Sequence, residues 1–505
     1  MAIKRYYATA DTTITNAFKA DLSTRGTGSN MGASDILEVF TLYGQASSSS
    51  GLTSEKTRFL IKFPTATMTS DRTAGNLAAS GSVSWYLKLY NAAHSQNVPN
   101  DMYLNIHPVT TDWKEGRGLD METYAFSGSA NWLTSKSSSA GVTTWTSEGG
   151  DWTEVGKYGQ NTASFGTGTE NIEIDISSIV EDGWLKSSGG ITNYGLIIKM
   201  PEHTETAISS SYTKRFFSRE SEFFFKRPVI EARWNSTVED DRSNFYLSSS
   251  LASSENINNL YLYNYIRGQL KTIPSAELLT VALYSGSSIP EQTPLQIKNS
   301  SDTSVYVVTA SEASTGVYKA QLMTTSSLKS TESFYDVWLL GSDPGGASSA
   351  DRREQVHTGS AITPKSFDKG SAWSADPTPQ YVVSPINMKS VYSTNEKARF
   401  RFFTRKKDWN PTIYNRATAV MDTEVAESGS YRIFRVADGL TAIAFGTGSV
   451  AHTQMSYDSS GSFFDLDLSL LEPGYSYGVQ LAFYNGSIGD WVEIPYEFKF
   501  RVEEP

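Results

Sequence analysis

Acidic residues beside tryptophan are the part of the sequence best suited to chemistry. The pattern Asp-Trp-x-Glu occurs twice, at residues 112–115 and 151–154. Two carboxylates next to an indole ring could serve as the acid and base of a glycosidase, or bind calcium through their oxygen atoms. A tryptophan flanked by polar groups can also stack against a sugar ring. The structural alternative is that each tryptophan plugs the end of a β-sandwich while the carboxylates face solvent or cap turns.

Four tryptophans lie within or between these two motifs. Trp113, Trp132, Trp145 and Trp152 belong to a long segment rich in glycine and serine, residues 110–170. Aromatic residues are enriched in binding interfaces. These four tryptophans are therefore the candidate contact with another protein or with a glycan.

The sequence offers little else that resembles a catalytic or metal site. Its five histidines are spread over the chain, and no two of them have the spacing of metal ligands. The absence of cysteine excludes disulfides and thiolate metal sites. The chain also has no P-loop motif for binding phosphate. We therefore predict a protein that is not an enzyme and that uses no cofactor or metal.

Length and charge narrow the class of protein further. A chain of 505 residues is too long for one hydrophobic core, and it predicts roughly two to four domains. The net charge of -11 and the pI near 5.2 argue against a nucleic-acid partner. Residues 1–7, MAIKRYY, lack the apolar core of a signal peptide. No run of about 18 apolar residues is present to span a membrane, so we expect cytoplasmic synthesis and no membrane contact.

Hydrophobic alternation predicts the strands that hold these side chains. In residues 83–90, VSWYLKLY, every second side chain is apolar and would lie on one face. Residues 102–109 follow as the expected antiparallel partner of that strand. Roughly eight strands without long helices across residues 6–235 predict a two-sheet jelly roll.

The stretch 212–234 mixes aromatic and charged residues more closely than a simple core strand does. We interpret it as a loop that crosses the end of a sheet, followed by a closing strand from Val229. Arg219, Glu220 and Arg227 are predicted to form structural ion pairs there, because unpaired charge near a core is costly. A ligand-binding role for these charges is the alternative.

The remaining sequence predicts two further β-sandwiches. Residues 236–255 form a polar connector, and residues 256–363 contain enough short strands for an Ig-like sandwich. Residues 364–379 end in Asp-Pro-Thr-Pro and are typical of a stiff linker. Residues 380–505 predict a second Ig-like or fibronectin III-like sandwich, with a turn and tyrosine corner at residues 471–475. The expected fold class is therefore all-β, with a large jelly-roll sandwich followed by two smaller sandwiches.

Several segments of the first predicted domain carry a resemblance to a known family through their order along the chain. They are Asp11-Thr-Thr-Ile, Arg58-Phe-Leu-Ile-Lys-Phe, Val83-Ser-Trp-Tyr-Leu-Lys-Leu-Tyr, Val109-Thr-Thr-Asp-Trp-Lys-Glu, Asn193-Tyr-Gly-Leu, Phe217-Ser-Arg-Glu and Arg227-Pro. Together they resemble the DNRLRE family, a jelly roll similar to carbohydrate-binding modules and found in surface and appendage proteins. The resemblance covers about residues 6–235. It implies the jelly-roll fold without implying a sugar site, since the family has no fixed ligand residues to transfer.

The chain as a whole resembles virion structural proteins of tailed phages that infect marine bacteria, especially cyanobacteria. The start MAIKRYYATADTTI, combined with a jelly roll and Ig-like domains, carries this resemblance. It implies a non-enzymatic structural or accessory protein of the neck, tail or capsid surface, made in the host cytoplasm and located in the virion. Its expected partners are other virion proteins and further copies of itself on a symmetric particle. The alternative is a carbohydrate-binding adhesin that contacts a host-surface glycan.

Overall fold

The computed structural model confirms the prediction of an all-β protein built from β-sandwiches, with 48% strand and 7% helix. The chain divides into two compact units, residues 2–235 and residues 236–505. None of the helices in the described part of the chain has the length and apolar character needed to cross a membrane. The described residues are 2–48, 51–95, 101–125, 128–139, 141–153, 158, 161–209, 211–245, 247, 257–273, 278–285, 294–324, 333–340, 354–364, 381–407, 423–426, 428–485 and 488–505.

The first unit consists mainly of strands joined by loops. Its strands are β1 Ile3–Tyr7, β2 Ala10–Thr15, β3 Ile36–Ser48, β4 Gly51–Lys62, β5 Ser84–Leu89, β6 Met102–Pro108, β7 Thr134–Ser138, β8 Gly141–Thr144, β9 Asn161–Phe165, β10 Ile172–Asp175, β11 Leu196–Lys199, β12 Ser211–Phe217 and β13 Val229–Arg233. Its helices are α1 Thr65–Thr73, α2 Glu202–Glu205, a π-helix at Ser178–Trp184 and a 3-10 turn at Phe224–Lys226.

Two antiparallel sheets of the first unit enclose one core. The smaller sheet has the order β1-β13-β5-β10, and the larger has the order β12-β3-β4-β11-β6-β9 with β2 also paired to β4. Trp85, Leu87 and Leu89 on β5 are fully buried, as their alternation predicts. They share the core with Phe59 and Ile61 from β4 of the larger sheet.

Strand pairing differs from the prediction at β6. This strand lies between β11 and β9 in the larger sheet, whereas β5 has β13 and β10 as its neighbours in the smaller one. The expected pairing of residues 83–90 with residues 102–109 is therefore wrong. Alternation determines which face of a strand is buried, but it leaves the partner strand open.

The outer face of the smaller sheet carries buried charges that neutralise one another across the strands. Glu231 on β13 accepts a hydrogen bond of 2.7 Å from Arg5 on β1, and another of 2.7 Å from Arg233. Arg233 also reaches Glu173 on β10 at 2.6 Å, and Glu173 lies 3.6 Å from Lys88 on β5. This ion ladder, defined by Arg5, Glu231, Arg233, Glu173 and Lys88, spans all four strands. It explains why the charged face of β13 is buried, where simple alternation predicts only one buried face.

The second unit contains the remaining strands. They are β14 Asn258–Tyr263, β15 Tyr265–Ile266, β16 Gln269–Leu270, β17 Leu279–Ser285, β18 Ile297–Asn299, β19 Ser304–Val305, β20 Val308–Thr309, β21 Ser311–Ser314, β22 Val317–Met323, β23 Phe334–Leu340, β24 Glu354–Thr358, β25 Tyr381–Pro385, β26 Val391–Ser393, β27 Lys397–Lys406, β28 Gly429–Arg435, β29 Thr441–Ile443, β30 Ser456–Asp458, β31 Gly461–Asp467, β32 Ser476–Asn485 and β33 Asp490–Glu503. Short 3-10 turns lie at Asp241–Ser243 and Leu468–Leu470.

Apart from the two-stranded sheet of β15 and β16, these strands form two pairs of sheets. The middle sandwich, strands β14–β24, has sheets of order β14-β22-β18-β19 and β20-β17-β23-β24. The last sandwich, strands β25–β33, has sheets of order β25-β27-β31-β30 and β26-β33-β32-β28-β29. Their pairing is antiparallel except for β26 with β33, which run parallel. The finer Ig-like or fibronectin-like assignment of each sandwich stays a prediction.

A tyrosine corner is present in the last sandwich, two residues later than the sequence suggested. The hydroxyl of Tyr477 donates a hydrogen bond of 2.8 Å to the carbonyl oxygen of Glu472. Tyr477 is fully buried, whereas Tyr475, within the predicted segment 471–475, is 38% exposed. The buried tyrosine at the start of β32 therefore fastens the preceding turn.

The connector predicted at residues 236–255 belongs to the fold wherever it is described. Phe245 and Leu247 lie in the core of the middle sandwich. Upstream, Val238 accepts a backbone hydrogen bond of 3.0 Å from Tyr457 of the last sandwich. Residues 246 and 248–255 of the connector, and residues 365–379 of the predicted linker, lie outside the described residues.

Candidate binding surfaces

Three of the four candidate contact tryptophans are buried. Trp113, Trp132 and Trp145 are exposed by only 3%, 3% and 5%. They pack with Ile14, Leu60 and other apolar residues on the outer face of the larger sheet of the first unit. In this arrangement, the long segment after β6 folds over the sheet and forms a second small core. These three tryptophans therefore fit the structural interpretation, in which tryptophans fill the sandwich, and they offer a partner little side-chain surface.

Indole nitrogens in this small core have protein acceptors. Trp113 donates a hydrogen bond of 2.7 Å to the carbonyl oxygen of Tyr194, and Trp145 donates one of 2.8 Å to that of Asn131. Buried indoles normally require such a partner. The hydrogen bonds fix the orientation of both rings and agree with a structural role.

A buried arginine joins the small core to the sheet below it. Arg58 on β4 lies under the rings of Trp132 and Trp152, at 5.1 and 4.8 Å from their centroids. Its Nε and Nη2 atoms donate hydrogen bonds of 2.9 and 2.6 Å to the carboxylate of Glu205. Its Nη1 donates one of 2.9 Å to the carbonyl oxygen of Gly149. The guanidinium is thus paired and stacked, which is the arrangement that a buried arginine needs.

Trp152 differs from the other three tryptophans because it is only partly buried. Its ring stacks on His107 of β6, with centroids 6.3 Å apart, and the ammonium of Lys199 lies 4.7 Å from it. Burial and the neighbouring charges of Lys199 and Arg58 lower the pKa of His107 to about 4. At neutral pH, an indole ring, a neutral imidazole and a cation therefore lie side by side at Trp152.

The aspartates of the two Asp-Trp-x-Glu motifs have different hydrogen-bond partners. Lys62 and Lys136 hold Asp112 at 2.8 and 2.6 Å. Although partial burial opposes the shift, their hydrogen bonds lower the pKa of Asp112. Asp151 instead accepts hydrogen bonds of 2.9 and 3.0 Å from the backbone N–H groups of Thr146 and Ser147. Both aspartates therefore act as surface and turn anchors, as the structural alternative expects.

Glu115, the last residue of the first motif, belongs to a different cluster. Its Oε1 accepts a hydrogen bond of 2.7 Å from the backbone N–H of Asp11. Its two oxygens also accept hydrogen bonds of 3.1 Å each from the Arg219 guanidinium. Three segments used for the family resemblance thus meet at this point: those containing Asp11, Glu115 and Arg219. Glu154 of the second motif lies outside the described residues.

The predicted structural ion pairs are present for Arg219, whereas the described partner of Arg227 is a backbone carbonyl. Arg219 contacts Glu220 at 2.5 Å in addition to Glu115. Arg227 instead donates a hydrogen bond of 2.8 Å to the carbonyl oxygen of Ser221. Within the described ranges, no carboxylate is paired with Arg227, so an ion pair of Arg227 stays a prediction. Arg227 fastens the loop before β13 through a backbone carbonyl.

A pattern that the sequence analysis missed occurs at residues 474–478. GYSYG matches G-x-S-x-G, the motif of a nucleophilic serine on a strand-to-helix turn. Here, Ser476 is the first residue of β32 and is followed by strand. The required turn into a helix is missing from this segment, so the match is one of letters only. Within the described ranges, no three or more histidine or acidic residues are grouped so that they could hold a metal ion.

An exposed apolar patch lies on the β32–β33 hairpin of the last sandwich. Tyr484, Ile488, Val492 and Tyr496 are 44%, 59%, 45% and 48% exposed. They line a groove of about 350 Å³ that also includes Tyr381. Single exposed apolar residues are common, but several of them around one groove favour an interaction site. Neither alternation nor any motif singles out these residues, because exposed strand positions of a hairpin look like buried ones in sequence.

Comparisons with known proteins do not assign the chain. No family model matches it, and no curated protein matches it. Among solved structures, a DUF4785-family protein from Legionella pneumophila shares 8% identity over 100% of this chain and 91% of that one, with a TM-score of 0.14. Trypsin-activated alpha-2-macroglobulin from Escherichia coli shares 8% identity over 88% of this chain, with a TM-score of 0.15. The chain spans 24% of the length of that second protein, and similarity this low carries no argument.

Proposed function

We propose that the chain is a non-enzymatic structural or accessory protein of a tailed-phage virion, located at the neck, tail or capsid surface. The proposal combines the family resemblance of the sequence with the exposed apolar patch on the last sandwich. The protein acts through contacts with other virion proteins and with further copies of itself on a symmetric particle. Repetition on such a particle allows individually weak contacts to add up.

The apolar patch is the observation that carries this proposal. The patch exposes apolar side chains to water, namely those of Tyr484, Ile488, Val492 and Tyr496, whereas many other tyrosines and valines of the protein are buried. Burying such a surface against a partner stabilises a complex by roughly 25 cal/mol per Å² before association costs. A catalytic cleft would require charged groups that converge on one point. This groove is instead lined mainly by apolar side chains.

The contact is expected to use side chains rather than strand addition. Residues 490–498 of β33 pair with β32, while β26 pairs only with residues 501–503. This leaves the second edge of the hairpin without a partner strand among the described strands. Pro495 lies in that edge and cannot donate a backbone hydrogen bond, which disfavours pairing with a strand of another chain.

The test is the presence of the chain in purified virions, measured by mass spectrometry of particles from infected cells. A Tyr484→Ser/Val492→Ser double variant should fold normally but be depleted from particles. Ile386→Ser is the matched control, since Ile386 is 51% exposed in the same sandwich but is not part of the groove. The proposal is wrong if particles never contain the chain, and the patch is not the contact if both variants are incorporated equally.

A glycan-binding adhesin is the second candidate, favoured by the side chains around Trp152. The partly exposed indole of Trp152 offers a ring on which a sugar could stack, and the buried side chains of His107 and Lys199 pack against that ring and fix its position. A glycan array with the wild-type chain and with Trp152→Ala tests this function. Binding that Trp152→Ala abolishes would support it. An array without any signal would count against the adhesin function and leave the virion proposal as the remaining candidate.

A further inference from the structure

Residues 238–242, here called the junction segment, are bonded to the last sandwich through their backbone. The N–H of Tyr457 donates a hydrogen bond of 3.0 Å to the carbonyl oxygen of Val238, and the N–H of Asp240 donates one of 3.1 Å to that of Tyr457. Val238 also donates a hydrogen bond of 2.9 Å to the hydroxyl of Ser456. The junction segment therefore continues the sheet of the last sandwich beyond its edge strand β30.

Asp241 contacts both sandwiches at once. Its Oδ1 accepts a hydrogen bond of 2.9 Å from the hydroxyl of Tyr457 in the last sandwich. Its Oδ2 accepts hydrogen bonds of 2.6 and 3.1 Å from the backbone and side chain of Asn259, on the first strand of the middle sandwich. Asp241 and Tyr457 are only 7% and 5% exposed, so water competes little for these bonds.

Arg242 fixes the other side of the junction segment to the middle sandwich. Its Nε donates a hydrogen bond of 3.2 Å to Asp336 on β23, and its Nη2 lies 2.5 Å from the same carboxylate. Asp336 is fully buried and also accepts a hydrogen bond of 2.8 Å from the indole of Trp338. The remaining Nη1 of Arg242 pairs with Asp240. One guanidinium thus serves two buried carboxylates.

The junction contains more buried negative charge than this guanidinium can neutralise. Asp240 and Asp336 share Arg242, while the donors to Asp241 among the described residues are the neutral groups of Asn259 and Tyr457. Burial raises the pKa of Asp240 and of Asp241 to about 6 each. The other titratable groups that act on this pair or lie beside it are Glu239, Arg242, Tyr261, Tyr263, Asp336 and Tyr457.

We propose that the junction segment is a proton-sensitive lock that holds the middle and last sandwiches as one rigid body. A proton bound to either aspartate removes a buried negative charge, so the locked state is favoured in mildly acidic solution. The sign follows from linkage: an acid that ionises less readily in the locked state stabilises it fully below the ordinary pKa, and this stabilisation is lost as pH rises through the higher value. Opening should therefore become on the order of tenfold more frequent per aspartate between pH 5 and pH 7.5.

Distances between the two sandwiches, measured by single-molecule energy transfer in the full chain, test the lock. The chain has no cysteine, so Ser314→Cys and Ser449→Cys place one label on an exposed residue of each sandwich. The otherwise unmodified chain should give a narrow distance distribution at pH 5 and a broader one at pH 7.5. Asp241→Ala should broaden it at both values, because it removes the carboxylate that accepts hydrogen bonds from both Tyr457 and Asn259.

Two further variants separate loss of the lock from loss of folding. Asp241→Asn cannot ionise but can still bond both neighbours, so it should keep a narrow distribution with a weaker pH response. Tyr457→Phe removes only the hydroxyl and should broaden the distribution even if Asp241→Ala fails to fold. Asp490→Ala, at an exposed carboxylate outside the junction, is the control. Unchanged distributions in both Asp241→Ala and Tyr457→Phe, or a broader distribution at pH 5 than at pH 7.5, would overturn the proposal.

Discussion

The backbone N–H of Arg219 donates a hydrogen bond of 2.7 Å to the carboxylate of Asp11, although 208 residues separate them in sequence. Glu115 accepts the N–H of Asp11 in return and also binds the Arg219 guanidinium. The start, the middle and the end of the first unit are thereby bonded to one another. This arrangement makes each of the three residues dependent on the other two.

Loss of the Arg219 side chain should destabilise the first unit. Arg219→Ala removes two hydrogen bonds to Glu115 but keeps the backbone bond to Asp11. Because the side chain is 33% exposed, we expect a cost of only about 1 kcal/mol in the free energy of unfolding. Urea denaturation measures it, with Lys186→Ala as the control at an exposed cation. An equal loss in both variants would contradict a specific role.

Asp11 should make the stability of the first unit depend on pH. Burial raises its pKa to about 7, with the hydrogen bond from Arg219 opposing and Glu115 adding to the shift. Stability due to this group is fully present below the ordinary aspartate pKa and is lost as pH rises through about 7. Hydrogen exchange of β2 should therefore be faster at pH 8 than at pH 5.5, after correction for intrinsic exchange. Asp11→Asn should flatten this dependence, and an unaltered profile would count against it.

Truncation of the buried tryptophans should weaken the fold. The sequence-based interpretation as a contact surface would let Trp132→Ala and Trp145→Ala leave the fold intact. Their burial instead predicts a loss of about 3–5 kcal/mol for each, as for other large core side chains. Thermal unfolding measures the loss. Val142→Ala, at a side chain 64% exposed nearby in sequence, should have little effect. Wild-type melting temperatures for both tryptophan variants would restore the contact interpretation.

Gly195 should be intolerant of a side chain. Its φ is +92°, and an added Cβ would lie 2.2 Å from the carbonyl oxygen of Ile61 on the neighbouring strand. The clash with backbone adds to the strain of a positive φ, so Gly195→Ala should cost more than about 2 kcal/mol. Gly189→Ala is a matched control, with φ +72° and open space around it, and should cost about 1 kcal/mol. Equal chemical-denaturation midpoints for the two variants would show that close packing at Gly195 is unimportant.

The sequence predicted the buried faces of strands better than their neighbours. On β5, the positions of Trp85, Leu87 and Leu89 follow from alternation alone. Their partner strands depend on chain paths between sheets, and for that reason the predicted pairing of β5 with β6 is wrong. Local periodicity contains no term for contacts between distant segments.

The candidate site shows the same division between local and distant information. The tryptophans were identified as a group, and the structure does bring Trp113, Trp132 and Trp145 together. Their burial depends on how the segment after β6 covers the larger sheet, which residue types cannot reveal. The charged residues on β13 illustrate the converse, since Glu231 is buried only because Arg5 and Arg233 neutralise it from positions that the sequence does not link.

The pairing of β1 with β13 also determines how the first unit would respond to a pulling force. Ile3 lies opposite Arg233, and Tyr7 lies opposite Val229. Tension applied at residues 2 and 235 would therefore act on one end of this antiparallel pair and open its hydrogen bonds one after another rather than all together. Arg5 and Glu231, at the centre of the pair, would separate midway, before Tyr6 and Tyr7 leave Ile230 and Val229. The unit should then extend in steps at low force when it is stretched through its own chain ends.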